Sequence, residues 1–401
     1  MSAAGRTAAP SATIAPPARG GLALLAALFV ASLALRPQLV GVGPLLPEIE
    51  ADLGVSHAVA GLLGTIPVMC MAAFAPAAAP LTAWASLRTA IGACVAAVAV
   101  FGLARAAVPG AAAVLLLTVP VGIGLALAGA LLPVAVKARF PDRPAFATGV
   151  YTTGLSVGAA LGSALAVPAA AAFGGWRGAL AAFSVATVAL AAGWLVLSRG
   201  TWTARSAARA PRLPVRRPIV WGIVAVFGLQ SVIFYGFVSW MPEAFQERGW
   251  SAGTAGALAA VFGIAALPAG LLVPYLADRG GSRRLWLTGA SVITAAGMLG
   301  LAALPDAAFA WATIAGAAIG AVFPLSLVLC LDVARDTADA GAAAALVLLG
   351  GYTLSSLAPV GLGALRDATG SFGTVLWALF ATALVLLACC VPLTADRLRP
   401  A

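Results

Sequence analysis

One charged side chain, Arg36, interrupts the first apolar run of the sequence, which extends from Gly20 to Pro47. At ~1.5 Å per helical residue, Arg36 lies ~24 Å from the start of this run and ~18 Å from Glu48, near the centre of a bilayer if the run crosses one. A central arginine costs roughly 2.5–3.5 kcal/mol on insertion scales, so it should face a polar cavity or a partner rather than lipid. Arg36 is therefore a candidate anion-binding residue, and pairing with a neighbouring helix for folding alone is the alternative.

A second polar group, formed by Gln230, Ser231 and Tyr235, lies in a later apolar run. These three residues fall within ~140° of helical arc, so they can face one cavity together. Hydrogen bonding between helices is the alternative role, worth about 0.6 kcal/mol for each bond in membranes. Both interpretations stay open from the sequence.

Three further side chains are candidates for the same cavity. Tyr151 and Tyr352 occupy similar contexts in the two halves of the chain, Gly149-x-Tyr151 and Gly350-x-Tyr352. Gln38 lies ~200° around a regular helix from Arg36. It joins the group only if the intervening proline distorts the backbone.

The composition indicates that these residues lie in a polytopic α-helical membrane protein. Apolar residues make up 62% of the 401 residues and charged residues 9%, and the mean hydropathy is +1.04. So few charges could not cover a water-soluble surface. The net charge of +10 is explained by basic loops on one side of the membrane rather than by nucleic-acid binding. Only Arg105, Arg177, Arg248 and Arg366 fall on the opposite side, which predicts cytoplasmic termini in a bacterial inner membrane.

Apolar runs of suitable length predict twelve membrane spans. Their approximate ranges are 20–47, 57–80, 88–107, 111–136, 145–171, 176–198, 219–245, 252–276, 284–303, 308–331, 341–365 and 372–394. They predict an N-terminal six-helix bundle over 20–198 and a C-terminal one over 219–394. A disordered tail (1–19), a basic cytoplasmic linker (199–218) and a C-terminal tail (395–401) complete the predicted organisation.

An internal repeat supports two similar halves. Pro47-Glu48, Gly54 and Ser56 recur 195 residues later as Pro242-Glu243, Gly249 and Ser251. Six spans return the chain to its starting side, so the halves share one orientation. Parallel repeats about an axis along the membrane normal are typical of one large transporter architecture.

Two glycine strips predict close helix packing. Span 5 carries Gly154, Gly158 and Gly162 at four-residue spacing, and span 8 carries Gly256, Gly263 and Gly270 at seven-residue spacing. A helix face without side chains lets another helix approach closely. One smooth face from each half suits a rocking interface between the halves.

Charges near the predicted span ends are expected to be solvated or to form turns. The residues expected in solvated outer loops are Glu48, Glu50, Asp52, His57, Glu243 and Glu247. Between spans 8 and 9, a tight acidic and basic turn contains Asp278, Arg279, Arg283 and Arg284. The equivalent turn between spans 2 and 3 retains only Arg88.

The sequence predicts no catalytic, cofactor or metal site. The five cysteines lie in apolar runs and follow neither a disulfide nor a metal-ligand spacing. A membrane enzyme would need a cluster of His, Cys, Asp or Glu at membrane depth, and the spans contain none. No Asp or Glu lies well inside a span, and Asp332 comes nearest. The absence of a central acid favours a neutral or anionic substrate over a cation exchanged for protons.

Several motifs in both halves resemble the cyanate/nitroimidazole permease-like branch of the major facilitator superfamily. They are Leu35-Arg36-Pro37, Val42-Gly43-Pro44-Leu45-Leu46-Pro47, Leu131-Leu132-Pro133, Gly149-x-Tyr151-Thr152-Thr153, Gln230-Ser231 and Phe234-Tyr235 with Trp240-x-Pro242. The resemblance implies twelve helices, alternating access, a central site and a cytoplasmic gating loop at Asp278 and Arg279. The chain departs from the pattern between spans 2 and 3, where 82–86 lacks the usual basic residues.

A transporter of a small anion or polar organic molecule is the resulting hypothesis. Export of small toxic compounds is the alternative within transport, and a membrane sensor or enzyme is less well supported. The expected partners are the small-molecule substrate and membrane lipid, with a monomeric chain and no nucleic acid. Uniport, proton symport and anion exchange all stay open as coupling modes.

Overall fold

The computed structural model describes residues 19–140, 144–199, 213–279, 283–335 and 337–393. Every regular element in these ranges is a helix, and twelve helical segments are long and apolar enough to cross a membrane. The predicted all-helical, twelve-span fold is confirmed. Most of the predicted tails and linker lies outside the described residues.

Most predicted spans correspond to one long helix, and spans 1, 2 and 10 each contain more than one helical piece. The α-helices are Arg19–Leu33, Pro37–Val40 and Leu46–Leu53 (span 1), His57–Phe74 and Ala78–Trp84 (span 2), Leu87–Ala107 (span 3), Ala111–Arg139 (span 4), Pro144–Phe173 (span 5), Trp176–Leu197 (span 6), Pro218–Gln246 (span 7), Ala252–Arg279 (span 8), Arg283–Ala303 (span 9), Ala308–Asp332 (span 10), Thr337–Thr369 (span 11) and Phe372–Cys390 (span 12). Short 3-10 helices cover Gly43–Leu45, Ala75–Ala77 and Pro305–Ala307.

Span 1 is broken at the position of Arg36. The first helix ends at Leu33, and a new helical turn begins at Pro37. Pro37 has no N–H to donate to the carbonyl of Leu33, and its ring opposes a regular helix there. The backbone instead bonds Leu35 N to Ser32 O at 3.1 Å. Arg36 therefore sits at the junction of two helical segments.

The acidic segment after span 1 is helical rather than a loop. Leu46–Leu53 forms a helix with Glu48 in its first turn, where a carboxylate favours the helix dipole. Gly54 ends this helix in the left-handed region with φ +63°, and Gly249 adopts φ +87° at the equivalent place of the second half. The repeat in the sequence therefore preserves a turn that glycine adopts without steric cost.

The two halves touch near one end of the bundle. We call the end where span 2 begins the His57 end, and the end where span 9 begins the Arg283 end. A Cβ at Gly61 would lie 2.5 Å from the carbonyl oxygen of Pro359, so spans 2 and 11 meet backbone to backbone. Gly43 of span 1 likewise lies against the carbonyl of Val238 in span 7.

The glycine strip of span 5 packs inside its own half, against span 1. A Cβ at Gly154 would lie 2.6 Å from Phe29 O, and one at Gly162 would lie 2.8 Å from Pro37 Cα. Gly158 lies against the carbonyl of Leu33, the group that Pro37 leaves without its helical donor. The expected rocking interface is therefore not where this strip lies, because the broken span 1 occupies the groove.

The glycines of span 8 have three different surroundings. Gly256 faces the other half, where a Cβ added at this glycine would lie 3.3 Å from Ser163 O. Gly270 faces Gly320 O of span 10 in its own half, at 3.0 Å on the same measure. In the part of the chain that the structure describes, nothing lies within 4 Å of a Cβ at Gly263. The seven-residue spacing thus does not correspond to one shared packing face.

Candidate functional site

Arg36 contacts the opposite half through a tyrosine. Its Nη1 atom donates to the Tyr235 hydroxyl at 3.5 Å, joining span 1 to span 7. The Tyr235 hydroxyl in turn points to Met71 Sδ at 3.8 Å. Arg36 stays half-buried, and within the described part of the chain no carboxylate forms an ion pair with it. Its guanidinium therefore has donors left for a ligand.

Two more tyrosines complete this cluster. Tyr352 lies close enough to interact electrostatically with Arg36, Tyr235 and Tyr151. The rings of Tyr235 and Tyr352 have centroids 6.5 Å apart, and Phe227 meets Tyr352 edge to face at 5.2 Å. We call Arg36, Tyr151, Tyr235 and Tyr352 the central cluster. Each half contributes two of its members.

Gln230 and Ser231 are occupied with one another. Gln230 Nε2 donates to Ser231 Oγ at 2.6 Å, and both residues are buried. No hydrogen bond joins either of them to Arg36 or Tyr235 among the described residues. The structure therefore places them on the same helix as Tyr235 but outside its hydrogen-bonded contacts.

Gln38 faces the interior of the N-terminal half, away from the central cluster. Its Nε2 donates to Ser184 Oγ at 2.7 Å and to Leu180 O at 3.1 Å, both in span 6. Its Oε1 accepts from Arg105 Nη2 at 2.8 Å. The break at Pro37 does not bring Gln38 round to Arg36, because span 6 and span 3 already use its amide.

Arg105 is a buried residue that the sequence analysis assigned to a span end. It is 1% exposed, and its Nη2 also donates to the backbone oxygen of Gln38 at 2.6 Å. Its Nη1 lies 3.4 Å from Thr118 Oγ1. Gly102 makes room for the glutamine amide, because a Cβ there would lie 3.0 Å from Gln38 Cδ. The arginine in the last turn of span 3, one turn after a glycine, was the available signal.

A second ionic cluster joins the halves at the His57 end. His57 Nδ1 lies 2.6 Å from Asp367 Oδ1 of span 11. Its Nε2 lies 3.4 Å from Glu50 Oε2 of span 1 and 3.2 Å from Glu243 Oε1 of span 7. Glu243 is 8% exposed. We call Glu50, His57, Glu243 and Asp367 the outer cluster.

The outer cluster corrects the expectation that Glu50, His57 and Glu243 are solvated loop residues. The helix Leu46–Leu53 carries Glu50 inward, and span 7 continues to Gln246 and so includes Glu243. One atom from each of the three groups lies within 4.8 Å of the others, a grouping that could hold a metal ion. The only histidine of the chain and the repeated Pro-Glu pair were the signals in the sequence.

The other predicted loop acids pair within one half. Glu48 accepts from Trp176 N at 3.0 Å, and Asp52 forms an ion pair with Arg177 at 3.1 Å. At the same end, Glu247 pairs with Arg366 at 2.8 Å. These carboxylates hold span ends together.

The Arg283 end has ion pairs that stay inside the C-terminal half, as far as the described residues go. Arg283 Nη1 lies 2.5 Å from Asp332 Oδ1, tying the start of span 9 to the end of span 10. Arg217 pairs with Asp339 at 2.8 Å.

Of the predicted gating turn, Arg279 stacks on Tyr275 at 4.3 Å from the ring centroid, and Arg284 is half-buried. The side chain of Asp278 and residues 280–282 lie outside what the structure describes.

Comparison with known proteins gives one consistent result. The sequence matches the Major Facilitator Superfamily over residues 22–359 and again over 243–399. The cyanate transport protein CynX of Escherichia coli (strain K12) is 31% identical over 351 residues, which cover 87% of this chain and 91% of that protein. The 2-nitroimidazole transporter of the same organism is 29% identical over 358 residues, covering 88% and 91%.

Solved transporter structures share the fold. A bacterial homologue of the human lysosomal transporter Spinster, in an inward-facing and unoccupied conformation, has a TM-score of 0.73 at 17% identity and covers 94% of this chain and 96% of its own. A D-xylose-proton symporter has a TM-score of 0.72 at 14% identity, covering 92% and 97%. Identities this low establish the common architecture alone.

Proposed function

Because this chain belongs to the major facilitator superfamily, we propose that it carries a small anion or small polar organic molecule across the membrane by alternating access. The chain is a multi-pass transporter with twelve candidate spans. The relatives named for cyanate and 2-nitroimidazole favour a small, flat substrate with negative or strongly polar oxygen or nitrogen atoms. We place the substrate at the central cluster.

The Arg36–Tyr235 contact is the observation that carries this proposal. It joins the two halves at mid-span, where an alternating-access transporter of this architecture binds its substrate. An arginine at this depth without a carboxylate partner is costly unless an anion or a polar group satisfies it. The guanidinium supplies parallel N–H donors, and the side chains of Tyr235 and Tyr352 lie close to it.

The remaining predicted residues take supporting roles in this proposal. Gln230 and Ser231 bond to one another on span 7, about one turn before Tyr235. Gln38 holds the segment after Pro37 against spans 3 and 6. Among the gating residues, the Arg283–Asp332 pair stabilises the Arg283 end of the C-terminal half.

The orientation follows from the distribution of basic residues. We place the protein in a bacterial inner membrane with cytoplasmic termini, so that the His57 end faces outward. Single cysteines at Ser206 and Ala252, in a background lacking the five native cysteines, should label from opposite sides with an impermeant reagent. Labelling of both positions from one side would contradict this orientation.

The central test is Arg36→Gln. Purified protein in proteoliposomes is assayed for uptake of cyanate and 2-nitroimidazole, with ligand-induced thermal stabilisation measured in detergent. Arg36→Gln should abolish uptake and stabilisation while the melting temperature without ligand stays close to wild type. The control is Arg248→Gln, which removes an arginine that stacks on Phe245 at the His57 end and should leave uptake unchanged. Wild-type binding of an anionic substrate by Arg36→Gln would overturn the assignment.

A further inference from the structure

The outer cluster is built so that its histidine is held in one orientation. Asp367 accepts at Oδ1 from the backbone N–H of His57 at 3.2 Å and at Oδ2 from that of Ala58 at 2.9 Å. The same Oδ1 meets the His57 ring at Nδ1. With Nδ1–H donated to a fixed carboxylate, the other ring nitrogen, Nε2, is turned toward Glu50 and Glu243.

Three acceptor atoms therefore converge without a donor unless a cation is present. In this tautomer of the neutral ring, Nε2 carries a lone pair and no hydrogen. It faces carboxylate oxygens of Glu50 and Glu243 at 3.4 and 3.2 Å. The two carboxyl groups also lie within hydrogen-bond distance of one another. Two carboxylates this close repel one another strongly when both are charged.

The second oxygen of each glutamate also lacks a donor. Glu50 Oε1 and Glu243 Oε2 are buried, and no hydrogen-bond partner for either lies among the described residues. Around them stand Asp367 and Glu247, with Arg366 as the cation of the group. Arg366 already donates from Nη2 and Nε to one oxygen of Glu247, Oε2, at 2.8 and 3.2 Å. The cluster therefore has an excess of negative charge and of acceptors.

We propose that Glu50, Glu243 and His57 form a proton-binding site that fills as the two halves close at the His57 end. A proton on Nε2 makes the ring a donor to both glutamates. A second proton, on either glutamate, turns one orphaned oxygen into a donor and removes the repulsion between the carboxyl groups. This inference rests on the alternating-access mechanism proposed above, and it adds a dependence of the closure of the His57 end on protons.

A divalent metal ion fits the same atoms less completely. A metal at the centre of Nε2, Glu50 Oε2 and Glu243 Oε1 would satisfy those three ligand atoms. With each glutamate binding the metal through one oxygen, Glu50 Oε1 and Glu243 Oε2 would stay without a donor. Protons on the histidine and on one glutamate give Nε2 a hydrogen to donate and let one carboxyl group donate to the other.

The location of the cluster links proton binding to the transport cycle. Spans 1 and 2 supply Glu50 and His57, and spans 7 and 11 supply Glu243 and Asp367. The cluster therefore exists only while the His57 end is closed, and opening that end separates its members.

The experiment measures the closure of the His57 end directly. Spin labels are placed by Ala112→Cys in the N-terminal half and Ala307→Cys in the C-terminal half, both exposed at that end, in a cysteine-free background. Distance distributions are recorded in proteoliposomes without substrate at about pH 5 and about pH 9, either side of the ordinary titration of histidine. The short, closed distance should dominate at the lower pH and the long distance at the higher pH.

Substitutions then assign the response. Glu243→Gln, which resembles the protonated acid, should keep the closed distance at both pH values, and Glu50→Gln is the second variant if Glu243→Gln fails to fold. The matched control is Asp52→Asn, which neutralises a carboxylate at the same end whose partner Arg177 lies in its own half. It should keep the wild-type pH response.

Three results would overturn the proposal. They are a wild-type distance distribution that does not change with pH, a Glu243→Gln response equal to wild type, or opening at low pH on addition of a metal chelator. The last result would identify a metal ion as the ligand. Because no substrate is present, this experiment fails or succeeds independently of the uptake assay that tests the proposed function.

Discussion

Two arginines meet at the break in span 1 and make different contacts. Arg36 belongs to the broken segment and extends toward the other half, whereas Arg105 of span 3 bonds to the segment from within the N-terminal half. Arg105 is 1% exposed and donates to the backbone and side-chain oxygens of Gln38 at 2.6 and 2.8 Å. Arg36, two residues from Gln38, is half-buried and bonds to Tyr235 at the longer distance of 3.5 Å. The Arg105 guanidinium bonds within the N-terminal half, whereas the Arg36 guanidinium lies between the halves and has donors left for a ligand.

The difference shows how one proline-containing motif serves two purposes. The break at Pro37 leaves the Leu33 carbonyl without its helical donor, and Arg105 donates to the Gln38 carbonyl in the short helix Pro37–Val40 that follows. That arrangement fixes the segment so that Arg36 can stay extended toward the other half. Removing each arginine should therefore have separable effects, on stability for Arg105 and on substrate affinity for Arg36.

Arg105→Met should give the largest change in stability. It leaves two buried oxygens of Gln38 without a donor, which should lower the free energy of unfolding by about 3 kcal/mol. Thermal unfolding in detergent measures the loss. Substrate affinity of the folded fraction should stay near wild type. The double variant Gln38→Leu/Arg105→Met should be less destabilised than the sum of the single variants, since both partners are gone. Strict additivity would argue against the buried pair.

Gly158→Leu should disturb the position of Arg36 through the backbone. The added side chain would collide with the Leu33 carbonyl just before the break, and overpacking of this kind costs about 1–3 kcal/mol. Uptake should fall while the protein still inserts into the membrane. Gly263→Leu is the matched control, because no described residue lies within 4 Å of a Cβ there. Equal uptake by the two variants would separate the strip from the site.

Arg36→Lys tests whether the geometry of the donors matters in addition to the charge. A lysine keeps the charge but cannot offer two parallel donors, so affinity for an anionic substrate should fall by roughly 1–3 kcal/mol. Ligand-induced thermal stabilisation and uptake titrations measure the change. Wild-type affinity in this variant would mean that a point charge suffices.

Tyr235→Phe should have the smallest effect. It removes the hydroxyl that accepts from Arg36 at 3.5 Å, and the weak geometry limits the loss of affinity to about 0.5–1 kcal/mol. Unfolding temperature should be unchanged. A larger loss than that of Arg36→Lys would identify the tyrosine hydroxyl as a direct substrate ligand.

The sequence by itself determined the spans, the two-half fold and the family. A long apolar run identifies a membrane span without any knowledge of the packing, because a segment in lipid must satisfy its backbone hydrogen bonds within its own helix and cannot form a loop. The break at Pro37 follows equally from local chemistry, since a missing N–H ends the helix wherever the residue is placed. Ser56 and Ser251, which the internal repeat aligns, cap their helices by accepting from Val59 N and Thr254 N.

Only the tertiary structure decided which side chains meet. Helical spacing places Gln38 on a face of span 1, but the neighbours of that face depend on how spans 3 and 6 pack. The outer cluster draws its residues from four helices, and Glu50 and Asp367 are 317 residues apart in the sequence. No local pattern therefore joins Glu50, His57, Glu243 and Asp367. Charges near span ends look the same in sequence whether water or another half covers them, because burial is a property of the packed bundle.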